Sequence, residues 1–453
     1  MHNDPDLAPS QPTFIEALWY WLRLGFISFG GPAGQIAIMH HDLVENKRWI
    51  SEKRFLHALN FCMVLPGPEA QQLATYIGWL MHRTWGGIIA GVLFVLPSLF
   101  ILIGLGFVYI KYGNTPVIAG LFYGIKPAVV AIVLFAAYRI GSRALKNPWL
   151  WVVTLAAFIG VAIFNVPFPI VVIIAILIGA LGGHYLPAIF NPNHAHSAST
   201  IHYGKALIDD DTPTPKHALP SKRRVFNIVA VGLFLWGLVM SLLFLRYGWY
   251  GTLTQMGWFF TKAALLTFGG AYAVLPYVYQ GAVDHYQWLT ATQMIDGLAL
   301  GETTPGPLIM IVAFVGFVVG WTQQLFGSVH PLVAGATAAS IVTFFTFLPS
   351  FLFVFIGGPL IESTQGKVKF TAPLLAITAA VVGVILSLAL FFAGHVFKPE
   401  QMYIKHTVAG GIDWLLVVMA TVGFVALFKY KLSIIKLILI SAVIGYVATQ
   451  ILI

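Results

Sequence analysis

Long uncharged runs alternate with short polar breaks along almost the whole chain. Nine runs stand out, at 86–110, 116–138, 149–164, 168–190, 225–246, 332–357, 372–394, 414–428 and 434–453. Most are close to the ~20 residues with which an α-helix crosses a bilayer, and a helix satisfies its own backbone there. Two further runs, 14–30 and 257–273, carry a cation each and either cross or re-enter. The pattern predicts an all-α polytopic membrane protein. Composition agrees, with 58% hydrophobic and 9% charged residues, where a soluble domain has about 25% charge. The single cysteine, Cys62, excludes a disulfide scaffold and twin-cysteine zinc motifs. Residues 1–12 are polar and lack a basic leader, which predicts insertion without a cleavable signal.

Basic residues set the expected orientation. Arg139, Arg143 and Lys146 share a short loop without an acid, as do Lys429, Lys431 and Lys436, which predicts a cytoplasmic face for both. Residues 191–224 form the one long polar stretch and read as a flexible cytoplasmic linker. Its His194, His196, His202 and His217 are irregularly spaced and read as solvated loop positions rather than metal ligands. The net charge of +9 follows from this bias; the expected partner is the lipid bilayer, with no nucleic acid.

The chain repeats itself. Ser28-Phe29-Gly30-Gly31 returns as Thr267-Phe268-Gly269-Gly270, Trp49-Ile50-Ser51 as Trp288-Leu289-Thr290, and Pro66-Gly67-Pro68 as Pro305-Gly306-Pro307, each 239 residues later. Leu96-Pro97-Ser98 returns as Leu348-Pro349-Ser350 after 252, so the second half carries 13 extra residues near 322–330. Three segments follow: a first transporter repeat over 1–190, the linker 191–224, and an extra helix plus a second repeat over 225–453. The extra helix inverts the second repeat. Six crossings before the linker and seven after it predict about 13, with the amino terminus inside and the carboxyl terminus outside. Inverted-topology repeats with broken helices mark secondary transporters.

Arg23 and Lys262 are also 239 apart, each five residues before its Ser or Thr. A cation in mid-helix costs about 2.5–3.5 kcal/mol on insertion scales, and a matched pair suggests a role, although both could snorkel to an interface. Gly30, Gly31, Gly269 and Gly270 loosen the helix. Pro66, Gly67 and Pro68, with Pro305, Gly306 and Pro307, break it and start a new N-terminus that attracts an anion; the alternative is a kink used only for packing. Ser28, Thr267 and Gln71 would add hydrogen bonds, beside Asn60, Gln72, Thr303 and Thr304. Glu69 suits a helix first turn, and it or Glu302 would serve any proton coupling.

Phe29-Gly30-Gly31-Pro32, Trp49, Leu65-Pro66-Gly67-Pro68, Thr304-Pro305-Gly306-Pro307 and the Leu-Pro-Ser motifs resemble the chromate ion transporter family in its long form of two fused halves. The resemblance covers nearly the whole chain. It implies a multi-pass protein of the prokaryotic inner membrane, or a fungal counterpart, that exports chromate and confers resistance. Sulfate is the implied competitor. Ala271 stands where the first half has Pro32, so the halves contribute unequally. The reading requires no cofactor, assigns no catalytic residue and leaves a homodimer open. Two alternatives are an importer of sulfate or another oxyanion, and an intramembrane enzyme, for which His40-His41-Asp42 is the local candidate. Mutation of Arg23 to Ala is expected to abolish resistance.

Overall fold

The computed structural model describes residues 9–185, 203–268, 270–364, 371–398, 408–409 and 411–452. The first half comprises α1 (Phe14–Ile27), α2 (Gly31–His40), α3 (Glu52–Val64), α4 (Glu69–Tyr112), α5 (Pro116–Ala144), α6 (Pro148–Ala162) and α7 (Phe168–Tyr185). After the linker come α8 (Lys222–Tyr247), α9 (Thr252–Leu265), α10 (Ala271–Tyr279), α11 (Ala291–Thr303), α12 (Ile311–Thr322) and α13 (Pro331–Thr364). The chain closes with α14 (Thr371–Phe397), α15 (Trp414–Phe428) and α16 (Ile434–Leu452). Among the described residues seven helices are long and apolar enough to cross a membrane, and Pro148–Ala162, Leu308–Thr322 and Trp414–Phe428 are shorter apolar ones.

The repeat in the sequence is a repeat in structure. One π-helical turn, His41–Asn46, follows α2, and another, Gln280–His285, follows α10, 239 residues later at both ends. Trp49 donates its N–H to the Leu43 carbonyl at 2.8 Å, and Trp288 to the Ala282 carbonyl at 2.7 Å. Ser51 caps α3 and Thr290 caps α11, because each hydroxyl accepts from an otherwise unpaired N–H of the first turn.

The interrupted regions turn back instead of crossing. At His82 and Arg83 the α4 backbone leaves helical geometry. A Cβ on Gly86 would lie 2.3 Å from the Gly78 carbonyl oxygen, so arm 69–81 runs antiparallel to arm 84–112. In the second half α12 and α13 form the matching hairpin, where a Cβ on Gly316 would lie 2.8 Å from Ala339 Cα. The extra residues fall at its turn. Phe14, at the start of α1, packs on His82; His40, at the end of α2, meets Glu52, at the start of α3. α1–α2 and α3 with arm 69–81 are therefore two re-entrant hairpins from one face, and α9–α10 and α11–α12 are their counterparts. α2 and α10, of 10 and 9 residues, are far below crossing length.

Among the described residues nine segments continue without such a reversal, arm 84–112, α5, α6, α7, α8, α13, α14, α15 and α16, of which α6 and α15 are shorter than the seven long apolar helices. The expected count was about 13; the Gly-Gly and Pro-Gly-Pro breaks reverse the chain inside the protein, which leaves fewer uninterrupted segments. The number stays odd, and the halves are inverted. Glu362, near the end of α13, pairs with Arg54 on the linker face at 2.6 Å. Thr252, at the start of α9, donates to Gln323 on the far face at 2.7 Å. α5 and α16 meet at Gly124 and Gly445, where a Cβ on Gly124 would lie 1.9 Å from the Ser441 carbonyl oxygen; small residues allow such close helix contact.

The linker differs from expectation where it is described. Residues 203–221 are a docked strap, not a free tether: Ile208 bridges Ile50, Asp210 accepts from Ser51 at 2.7 Å, and Arg54 donates to the Thr212 carbonyl at 2.9 Å. Backbone pairing and charge hold a stretch whose composition alone reads as loose. His194, His196 and His202 lie outside the described residues; His217 binds the Trp79 carbonyl at 2.9 Å.

Candidate functional site

The two halves cross where each helix is broken. Gly67 donates its N–H to the Thr267 carbonyl at 2.7 Å, and Gly306 donates its N–H to the Ser28 carbonyl at 2.8 Å. Each Pro-Gly-Pro loop is thus held by the polar break of the other half. The bonds are related by the 239-residue repeat, which makes the crossing a pseudo-two-fold centre. Irregular backbone at such depth needs partners inside the protein, and each half supplies them to the other.

Positive φ sits at every described break: 88° at Gly30, 69° at Gly31, 128° at Gly67, 96° at Gly270 and 100° at Gly306. Space matters most at Gly67 and Gly306. A Cβ on Gly67 would lie 2.3 Å from Ser350 Oγ, and one on Gly306 would lie 2.9 Å from Ser98 Cβ. These serines belong to the repeated Leu-Pro-Ser motifs, again each from the opposite half. Gly269 lies outside the described residues.

Unpartnered polar atoms collect around the crossing. Ser28, Ser98 and Ser350 are buried with hydroxyls that have no hydrogen-bond partner, as are the amide oxygens of Gln35, Gln71 and Gln72. Gln35 donates to both the Ser28 and Gly306 carbonyls. Gln72 donates to the Pro66 carbonyl at 2.8 Å and Gln71 to Thr75 at 3.0 Å. Thr267 spends its hydroxyl on the Ala263 carbonyl, and Thr303 and Thr304 spend theirs on their own helix. A buried unsatisfied polar group costs about 1–3 kcal/mol, so such a cluster suits a polar guest.

The carboxylates frame this cluster. Glu69 opens arm 69–81 just after Pro68, with one oxygen 3.6 Å from where a Gly270 Cβ would stand. Glu302 is buried and accepts from the Tyr272 hydroxyl. Both are within electrostatic reach of Arg139, and Glu69 also of Arg143. The two predicted cations are not brought to the crossing in this way. Arg23 is on the exposed face of α1, and the Lys262 ammonium lies 5.6 Å over the Trp258 ring. Asn60 is exposed.

Sequence reasoning missed Arg139 because it ended the helix at 138 and read the basic residues as a loop. α5 runs on to Ala144, and the first strong breaker, Asn147-Pro148, was the available signal. Ser98 and Ser350 served only as repeat markers. His40-His41-Asp42 lies at the linker face, with His40 between Glu45 and Glu52.

Comparisons with known proteins agree with this duplicated architecture. The family model described as chromate transporter matches residues 15–181 and 254–446. A chromate transport protein of Cupriavidus metallidurans is 30% identical over 437 residues, covering 96% of this chain and 93% of that protein. Another, of Pseudomonas aeruginosa, is 32% identical over 382 residues, 84% of this chain and 81% of that protein. An uncharacterized transporter of Bacillus subtilis is 29% identical over 163 residues, 82% of its length but 35% of this chain. No solved structure matches.

Proposed function

The chain belongs to the chromate transporter family, and on that premise we propose that it exports chromate by alternating access across a prokaryotic inner membrane, with the crossing as its substrate site. The observation that carries this reading is the reciprocal pair of bonds, Gly67 to Thr267 and Gly306 to Ser28, surrounded by the free hydroxyls of Ser28, Ser98 and Ser350. Three hydroxyls and the first-turn N–H groups of arm 69–81 suit a four-oxygen dianion. Arg139 offsets its charge, and protonation of Glu69 or Glu302 would remove the repulsion that two carboxylates exert on it. Sulfate, of the same shape and charge, is the expected competitor.

Export follows the electrical force. A dianion leaving a negative-inside cell gains about 4.6 kcal/mol per 100 mV, whereas import requires coupled cations or protons. Rocking of one half against the other would open the site to each face in turn. Everted membrane vesicles containing the protein should take up labelled chromate when the lumen is positive, and a Ser98→Ala/Ser350→Ala variant should lose at least about 1–3 kcal/mol of binding, roughly 5- to 150-fold in affinity. Uptake confined to right-side-out vesicles, or an unchanged affinity in that variant, would reject export or the site respectively.

A further inference from the structure

The face opposite the linker carries a cavity of about 780 Å³ between α5, α11, α14 and α15, a volume within the range of small-molecule sites. Lys126, His395 and Lys398 line it, together with Tyr123, Thr290 and Thr292. Lys126 is half-buried eleven residues into α5, where an ammonium is expensive unless it has a use. Thr290 and Thr292 bracket the N-terminus of α11. Their helix leaves first-turn N–H groups and the positive end of its dipole on the same cavity.

Among the described residues each nearby carboxylate has a partner, although one oxygen of Asp296 is buried without one. Asp296 lies buried one turn into α11, within electrostatic reach of Lys126, and accepts from Tyr109 at 2.9 Å. Asp413 accepts from Tyr123 at 2.7 Å and from the Leu415 N–H at 3.1 Å. Asp284 is within reach of His395. Among the described residues the exposed basic groups at the mouth are His395 and Lys398.

The inverted repeat supplies a second, independent argument. His395 and Lys398 stand 252 residues after Arg143 and Lys146, the spacing that relates the two Leu-Pro-Ser motifs. Arg139 and Arg143 are the cations that reach toward Glu69 from the linker face. Basic residue types thus recur at two matching places on the opposite face, His395 for Arg143 and Lys398 for Lys146, while Phe391 stands for Arg139 and the second mouth takes Lys126 from the first half. A tether or a packing role gives no reason for that recurrence.

We propose that this cavity is a second anion-binding site, an outer vestibule built around Lys126, His395 and Lys398 that takes a tetrahedral oxyanion dianion passing between the crossing and the far face. The proposal rests on the transport reading above, and its test separates the two. Cys62 is buried and is the sole cysteine, whereas Thr292 is exposed, so Thr292→Cys gives one reporter thiol in the vestibule. The full-length protein in proteoliposomes is treated with a negatively charged or a positively charged methanethiosulfonate of similar size. The anionic reagent should react at least about tenfold faster, as charge focusing in a cleft allows. Chromate or sulfate should slow it. Adding Lys126→Gln and Lys398→Gln should abolish both effects, while Lys111→Gln, outside the vestibule, should leave them. Equal rates for both reagents, or no protection by either anion, would overturn the vestibule even if chromate is transported. If vesicle transport of chromate fails but anion protection persists, the vestibule stands and the assignment of cargo falls. In a transporting protein the same pair of substitutions should raise the KM for chromate offered at the far face about tenfold and leave the linker-face value within about twofold; equal changes at both faces would also overturn it.

Discussion

Replacing Gly67 by alanine tests whether the two halves depend on each other at the crossing. Two terms add. Backbone at φ 128° is almost closed to a residue with a side chain and costs about 1–3 kcal/mol. The new methyl group would meet Ser350 Oγ at 2.3 Å and Gln72 Nε2 at 2.6 Å. Overpacking of that kind costs about 1–3 kcal/mol more. Gln72 can swing its amide away only by giving up its bond to Pro66. The sum is about 2–6 kcal/mol. Gly31→Ala is the control, because its φ is 69° but nothing lies within 4 Å of the added methyl, which leaves about 1–2 kcal/mol of backbone strain. Thermal unfolding of the purified proteins in detergent should rank Gly67→Ala well below Gly31→Ala. Adding Ser350→Ala should return about 1–3 kcal/mol to the Gly67 variant. A Gly67→Ala protein as stable as Gly31→Ala would refute the reasoning, and so would a double variant additive within about 0.5 kcal/mol.

Three further outcomes are expected. Arg54→Met takes the cation from the Glu362 carboxylate, whose side chain is 2% exposed, and leaves it the Tyr76 hydroxyl; this should destabilise by about 3–5 kcal/mol, and Arg54→Met/Glu362→Gln should recover most of that loss in the same unfolding assay. Burial, with a smaller contribution from Arg83 and Arg224, holds the His217 imidazole below its ordinary 6.5 despite the bond to Trp79. The docked strap therefore favours neutral His217, while the undocked strap binds the proton more readily; docking is fully present above about 6.5 and is lost as pH falls through the lowered value. Protection factors for hydrogen exchange over 203–221, taken against the intrinsic rate at each pH, should fall between pH 7.5 and 5.5, and His217→Gln should flatten that response. Arg23→Ala should retain transport and chromate resistance, contrary to the expectation from sequence, since the side chain is exposed on the outer face of α1; loss of resistance at normal expression would return Arg23 to the mechanism.

The repeat was legible because glycine and proline act locally. Gly31, Gly67, Gly270 and Gly306 all have positive φ, and their positions could be read from the two 239-residue pairs without any tertiary information. The reversal at His82-Arg83 was not legible, since neither residue is a helix breaker and the polar His82-Arg83-Thr84 reads equally well as a helix end. The crossing itself was hidden for a different reason. Ser28 and Thr267 accept through backbone carbonyls, which every residue has, so no side-chain type marks the bond. Arg139 was hidden by the positive-inside pattern: a cation near a helix end serves that bias equally well whether it faces lipid headgroups or a carboxylate.

Duplication alone would build two equal anion sites, one on each side of the pseudo-two-fold axis. The chain does not permit this. Glu69-Ala70-Gln71-Gln72 opens the first arm, while Leu308-Ile309-Met310-Ile311 stands at the matching place, all four buried. The free amide oxygens of Gln71 and Gln72 therefore have no counterparts, and neither does that of Gln35, whose equivalent is Val274. With the three serine hydroxyls this makes six buried unpartnered atoms. Such a concentration has no structural benefit that the apolar second arm does not already provide. The proposed site accounts for it if one arm binds a polar guest and the other is an apolar support, which would place that site on one side of the crossing and make the two repeats unequal in role as well as in sequence.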